Sequence, residues 1–361
     1  MRVIMSCAGT GGHIYPAIAI ADRIKAVEPD SEIMFIGTRE GMENRLVKDA
    51  GYEIRGIDAS GFNRRNLLKN FKTLSDMIKG RREVDEILDS FKPDIVFGTG
   101  GYVTGNVIKE AHRRGIRTYI HEQNAIPGLA NKMLEEFADK VFISFDSSRE
   151  HFRHKDKLVL SGNPIRSSFS TLDRADCRSE LGIADGEFLI LAFGGSLGAD
   201  ILNKAVVRLI DELPDQGIKL YFVTGKRYYD GVLEMLKDSA RTNFKLIPYA
   251  DNMPVLMKAS DLVISRSGAI AVSEITAAGR PSILVPSPNV TNNHQYYNAK
   301  AVADAGAALL IQETDMGEDY SSFTARITKL IGDGGKLEEM ERAALAIGRS
   351  DAADIICENI R

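Results

Sequence analysis

The sequence predicts an α/β protein of two doubly wound, Rossmann-like domains, and three observations lead there. Short runs rich in β-branched and aromatic residues alternate with longer amphipathic stretches, as in parallel sheets joined by crossover helices. Three of those runs end in glycine-rich turns, at residues 8–13, 98–105 and 194–199. The rhythm breaks once, at Ser161-Gly162-Asn163-Pro164, where proline forces its neighbour toward extended geometry, and then it restarts. A chain of 361 residues is too long for one ordinary core and suits two. The domains read as 1–163 and 164–345, with a last helix at about 346–361 expected to return to the first domain.

Residues 2–6 form the first strand, and the turn after it opens a helix that tolerates Pro16 near its start. Residues 32–36, 94–97, 117–120 and 140–143 continue the first sheet. Beyond the break, 187–193 is a strand and 201–213 an amphipathic helix. Residues 219–224, 245–247, 262–264 and 282–285 are further strands. Residues 269–278 read as a helix closed by Gly279.

Glycine lets the backbone turn its N–H groups toward a ligand, and the following helix adds the positive end of its dipole, so each turn is a candidate anion site. One nucleotide needs one turn. Three suggest two phosphorylated substrates and transfer between them. Ligands of doubly wound sheets bind outside the carboxyl ends of the strands, which makes the cleft between the halves the expected site.

Composition and motifs exclude several classes. A net charge of −4 supplies no chain-wide basic field, so nucleic acid is not an expected partner. The first residues lack the apolar core of a signal peptide, and no apolar run approaches the ~18 residues that span a bilayer, so a cytoplasmic location is expected. Cys7, Cys177 and Cys357 are odd in number and far apart, which indicates neither disulfides nor a zinc site. Ile14 stands where GxGxxG needs its last glycine, and no turn ends in GK[ST], so the dinucleotide and P-loop readings both fail. No Asp-x-Asp pair occurs to hold a divalent ion, and no metal is expected.

The segments Gly9-Thr10-Gly11-Gly12-His13-Ile14-Tyr15-Pro16, Gly100-Gly101-Tyr102-Val103, His121-Glu122-Gln123-Asn124, Gly162-Asn163-Pro164-Ile165-Arg166, Gly194-Gly195-Ser196-Leu197-Gly198-Ala199, Arg266-Ser267-Gly268-Ala269 with Glu274, and Asn293-His294-Gln295 with Asn298 occur in one order. With them the chain resembles, from residue 1 to about 305, the MurG-type transferases of bacterial cell-wall synthesis. The resemblance implies a GT-B fold and inverting transfer of N-acetylglucosamine from UDP-GlcNAc to the MurNAc 4-hydroxyl of undecaprenyl-pyrophosphoryl-MurNAc-pentapeptide, turning lipid I into lipid II without a cofactor. It places Glu274 on the ribose, Arg166 beside the uracil, the Ala250 backbone at the uracil edge and Ser196 at the donor pyrophosphate. Thr10, Gly11, Gly12, Asn124, Ala269, His294 and Gln295 would surround the donor, and Gly100, Gly101 and Tyr102 the acceptor pyrophosphate. Leu197 and His294 stand where other members carry Gln. Two other readings stay open: another GT-B enzyme using UDP-GlcNAc, such as a 2-epimerase or glycolipid synthase, and a non-catalytic nucleotide-sugar binder at the membrane.

Displacement at an anomeric carbon needs a base for the acceptor hydroxyl and stabilisers for the leaving anion. His13 is one candidate, at a helix start whose dipole favours a neutral, proton-accepting ring; Glu122, at the carboxyl edge of a strand, is the other. His151 and His154 lie in a charged surface run. Residues 62–82 carry seven bases against the single acid Asp76, with Leu67, Leu68, Lys69, Phe71 and Lys72 at its centre. Such a basic amphipathic surface suits an anionic leaflet and, with the resemblance, implies a peripheral protein on the cytoplasmic face of the cell membrane. A core-facing helix with i,i+4 pairs Lys79–Glu83, Arg81–Asp85 and Arg82–Glu86 is the competing reading.

Overall fold

A computed structural model describes residues 1–58, 69–195, 198–214 and 216–361, with backbone alone for 69–78. The chain forms two compact units, Met1–Ile165 with Asp351–Arg361, and Arg166–Ser350.

The first unit is built on β1 (Arg2–Cys7), β2 (Glu32–Thr38), β3 (Glu53–Ile57), β4 (Ile95–Gly100), β5 (Arg117–Glu122), β6 (Lys140–Ile143) and β7 (Leu158–Leu160). They form one sheet in the order β3-β2-β1-β4-β5-β6-β7, every pair parallel. Helices cover both faces, which is why β1 reads as a continuous apolar run. Ile4 joins Val103, Val107 and Ile108 of the helix Tyr102–Arg113 in one core layer. Val3, Met5 and Cys7 point the other way, into a layer with Ile14, Ala17 and Ile20 of the helix Gly11–Val27. The C-terminal helix Ala352–Ile360 closes that second layer with Ile356, Cys357 and Ile360. Phe35, Phe97 and Phe142 are fully buried there, each a side chain whose truncation to Ala costs about 3–5 kcal/mol.

The second unit repeats the design with β8 (Phe188–Phe193), β9 (Ile218–Val223), β10 (Phe244–Ile247), β11 (Leu262–Ser265), β12 (Ser282–Leu284) and β13 (Ala308–Leu310). Their order is β10-β9-β8-β11-β12-β13, again all parallel. Both sheets therefore reverse strand order at one point, between β1 and β4 in the first unit and between β8 and β11 in the second. At such a switch point the loops leaving adjacent strands diverge to opposite faces and open a crevice.

Three strands escape the sequence reading, β3, β7 and β13, all at sheet edges. The salt-bridge expectation also needs correction: Arg81 bonds Glu110 rather than Asp85, and Asp85 takes Arg113 and Arg114. Glu110 is buried and placed to gather three arginines, so the tertiary partner displaces the i,i+4 one. Burial works against its charge, yet Arg113 and Arg114 outweigh it and hold the carboxyl at about 2. All three cysteines are free and buried, and burial pushes their thiols up. Among the described residues no helix is long and apolar enough to cross a membrane.

Candidate functional site

The glycine turns sit at the switch points. In the first unit, the turns after β1 and β4 lie side by side, joined by Ala8 N–H donating to Gly100 O at 3.1 Å. A Cβ on Gly100 would meet His13 Nδ1 at 2.5 Å, and one on Gly101 would meet Ala8 O at 2.5 Å, with φ of +122° and +91°. These two glycines are thus required by close packing of the turns on each other. Tyr102 opens the next helix and is half exposed. Gly9 is braced from below: the buried Glu43 carboxylate accepts from Thr38 N at 2.9 Å, Thr38 Oγ1 at 2.6 Å and Gly9 N at 3.3 Å. Burial disfavours the Glu43 charge, but those hydrogen bonds prevail and hold the carboxyl below its usual range.

Thr10 is the N-cap of the helix Gly11–Val27, with His13 in its first turn. The β1/β4 ladder slips here, pairing Ser6 with Gly98 but Cys7 with Gly100, so Thr99 is an extra residue. A bulge of this kind re-aims backbone groups. The Thr99 carbonyl faces His13 Nδ1 at 3.1 Å and accepts from Gln123 Nε2 at 2.7 Å. Thr99 Oγ1 donates to His13 O at 2.7 Å and pins the backbone as well.

Glu122 ends β5, is buried, and receives four donors. Oε1 takes Asn124 N at 2.9 Å and Asn124 Nδ2 at 3.1 Å; Oε2 takes Gly128 N at 3.0 Å and Asn131 Nδ2 at 2.8 Å. Its carboxylate braces the 123–128 loop and ties it to the helix Leu129–Leu134. Asn124 stands in this loop beside Glu122.

In the second unit, Glu274 lies on the helix Ala269–Ala277, which follows β11 and begins at Ala269 with Gly268 as its N-cap. Burial raises the Glu274 carboxyl above its ordinary value, opposed by Arg166, whose Nε donates to Oε1 at 3.0 Å. The Gln295 side-chain oxygen accepts from Ser287 N at 2.9 Å, and the Gln295 backbone carbonyl accepts from Ser267 Oγ at 2.8 Å, tying the helix His294–Asp304 to the β11 turn. His294 Nδ1 meets Thr291 O at 2.9 Å within a cap formed by left-handed Asn292 and Asn293. Ala250 is nearly buried in the turn after β10.

Ser196 and Leu197 lie outside the described residues, as do Leu67, Leu68 and the side chains of Lys69, Phe71 and Lys72; the last three belong to the helix Lys69–Phe91. Sequence reasoning missed Thr99, Gln123 and Glu43 as parts of the site. Alternation at the end of β5 was the available signal for Gln123, because His121 and Gln123 share one face at spacing two. Among the described residues no group of three or more His, Cys, Asp or Glu is placed to hold a metal ion.

Two Rossmann-like units with site residues at both switch points are the architecture of a GT-B glycosyltransferase, and the chain belongs to glycosyltransferase family 28. That family's N-terminal domain matches residues 3–143 and its C-terminal domain residues 189–356. Over 357 residues the chain is 42% identical to the UDP-N-acetylglucosamine--N-acetylmuramyl-(pentapeptide) pyrophosphoryl-undecaprenol N-acetylglucosamine transferase of Alkaliphilus oremlandii, covering 99% of this chain and 97% of that one. It is 43% identical to the protein of the same name from Acetivibrio thermocellus, covering 100% and 98%. Among solved structures it is similar to Acinetobacter baumannii MurG, with a TM-score of 0.81 at 29% identity over 99% of both chains. The UDP-GlcNAc 2-epimerase of Neisseria meningitidis, bound to UDP-GlcNAc, shares the fold at a TM-score of 0.68 and 17% identity over 99% of both chains.

Proposed function

We propose that this chain moves N-acetylglucosamine from UDP-GlcNAc to the 4-hydroxyl of the N-acetylmuramyl unit of pyrophosphoryl-undecaprenol-linked pentapeptide. The observation that carries the reading is full-length likeness above 40% identity to transferases of that name. The 2-epimerase, at 17% identity, shares only the fold.

In the reaction the bond between the sugar's anomeric carbon and the UDP phosphate oxygen breaks, and a bond from that carbon to the acceptor oxygen forms on the opposite face. The proton leaving the hydroxyl goes to His13 Nε2, because Nδ1 faces the Thr99 carbonyl, which can only accept and so keeps the ring hydrogen on its own side. Glu122 shapes the loop that carries Asn124. Glu274 takes the ribose hydroxyls, Arg166 and the Ala250 backbone the uracil, and Ser196 the pyrophosphate, with the free N–H groups at Ala269 adding a helix-terminal positive end. Thr10, Gly11, Gly12, Asn124, His294 and Gln295 are proposed as further donor contacts, and Gly100, Gly101 and Tyr102 as acceptor contacts. Residues 62–82 would hold the protein to the anionic cytoplasmic leaflet that displays the lipid acceptor.

Incubation with UDP-GlcNAc and a lipid I analogue, with and without EDTA, tests the reading. The expected products are UDP and a β-1,4-linked disaccharide at equal rates in both. Formation of free N-acetylmannosamine with no acceptor product would support an epimerase instead.

A further inference from the structure

The His13 ring is one end of a chain of side chains whose hydrogens can be assigned by elimination. His121 is fully buried at the end of β5, and its Nε2 meets the Gly162 carbonyl at 3.0 Å. A carbonyl only accepts, and Ser144 Oγ, 3.3 Å from Nε2, gives its own hydrogen to Glu122 O at 2.8 Å, so Nε2 carries the hydrogen and Nδ1 a lone pair. Gln123 Nε2 lies 3.0 Å from that Nδ1, 3.2 Å from His121 O and 2.7 Å from Thr99 O. Three acceptors around one end of the amide admit only its NH2 group; turning the amide over would set oxygen against oxygen. The Gln123 oxygen is therefore the end that faces His13, 3.0 Å from Nδ1.

We propose that Gln123, oriented by His121, is a positioning residue for the transfer: its amide oxygen, with the Thr99 carbonyl, holds the His13 ring hydrogen on Nδ1 and leaves Nε2 as the proton acceptor. The inference deepens the reading of His13 as base and rests on it. A neutral ring can carry its hydrogen on either nitrogen, and the form with hydrogen on Nε2 has no lone pair there to take a proton. The Gly162 carbonyl, at the end of the first unit, thus reaches His13 through two side chains and no solvent-facing group.

Long-range nitrogen–proton correlation spectra of the full chain with 15N-labelled histidine read the ring state directly, the His13 signals being identified by their loss in His13→Ala. Neutral His13 is expected with its hydrogen on Nδ1. In Gln123→Met, which matches the length but offers no donor and only a weak thioether acceptor, signal should move toward the Nε2–H form and kcat should fall by about tenfold, the scale at which an orienting partner acts, with KM for UDP-GlcNAc nearly unchanged. Wild-type His13 with its hydrogen on Nε2 would overturn the proposal even if no variant folded. So would a folded Gln123→Met chain with unchanged ring state and kcat. If the ring state follows Gln123 while His13→Ala retains full kcat, Gln123 sets the ring's hydrogen but the base reading fails, and the role in transfer is overturned with it. If His13→Ala abolishes turnover while the ring state ignores Gln123, the base stands and the positioning is refuted.

Discussion

Arg166 Nε donates to Glu274 Oε1 at 3.0 Å, linking two residues 108 positions apart within the second unit. The carboxylate is nearly buried and the guanidinium half exposed. Burial alone would leave Glu274 prone to protonation, and Arg166 opposes this. The pair thus sets a carboxyl and its guanidinium partner together on the helix that follows β11.

Truncating Glu274 to Ala is expected to weaken UDP binding by about 1–3 kcal/mol, the worth of charge-assisted hydrogen bonds lost with the carboxylate. Calorimetry on the folded variant measures it. Unchanged UDP affinity would remove Glu274 from the donor site.

The buried His121 predicts a pH dependence of stability. Burial pushes its ring down to about 4, whereas in the unfolded chain it takes a proton near the ordinary ~6.5. Protonation therefore favours unfolding. The contribution is complete above about pH 6.5 and is lost as pH falls through about 4. Between pH 7 and 4.5 the wild type should lose about 2 kcal/mol more than His121→Asn, read from urea midpoints and slopes. Equal losses in both proteins would show that His121 is not held neutral by the fold.

Docking to an anionic leaflet makes a third prediction. Replacing Arg64, Arg65, Lys69 and Lys72 with Gln, or raising salt, should reduce sedimentation with phosphatidylglycerol vesicles while turnover of a soluble acceptor persists. Vesicle binding indifferent to both treatments would assign residues 62–82 to the protein's own packing.

Much of this was legible because apolar periodicity and glycine mark the central elements. β1 carries Val3, Ile4 and Met5 in succession because helices cover both faces of its sheet, so a short run sufficed to find it. β3 was not found, since Glu53 and Arg55 alternate with apolar residues at an exposed edge and Gly56 interrupts the run. His13 and Glu122 were legible as candidates from their places beside a glycine turn and a strand end, and Glu274 only through the family resemblance. The hydrogen-bond partners of His13 and Glu122 were not legible, because they come from other segments of the chain. Glu122 receives four donors from the 123–128 loop and the helix after it, and the Thr99 bulge that faces His13 is a slip in register between β1 and β4, distant in sequence. The glycines at 100 and 101 were read as ligand contacts; their first requirement is contact with His13 and Ala8.

The central claim is that His13 takes the acceptor's proton. Steady-state turnover of His13→Ala with UDP-GlcNAc and a lipid I analogue, alongside UDP affinity by calorimetry, tests it most directly. The expected result is a kcat lower by about 10²–10⁴-fold with UDP affinity nearly intact, because the lost interaction belongs to the transition state. A raised KM with kcat restored at high substrate, together with abolished turnover in Glu122→Gln, would contradict the account and reverse the two roles.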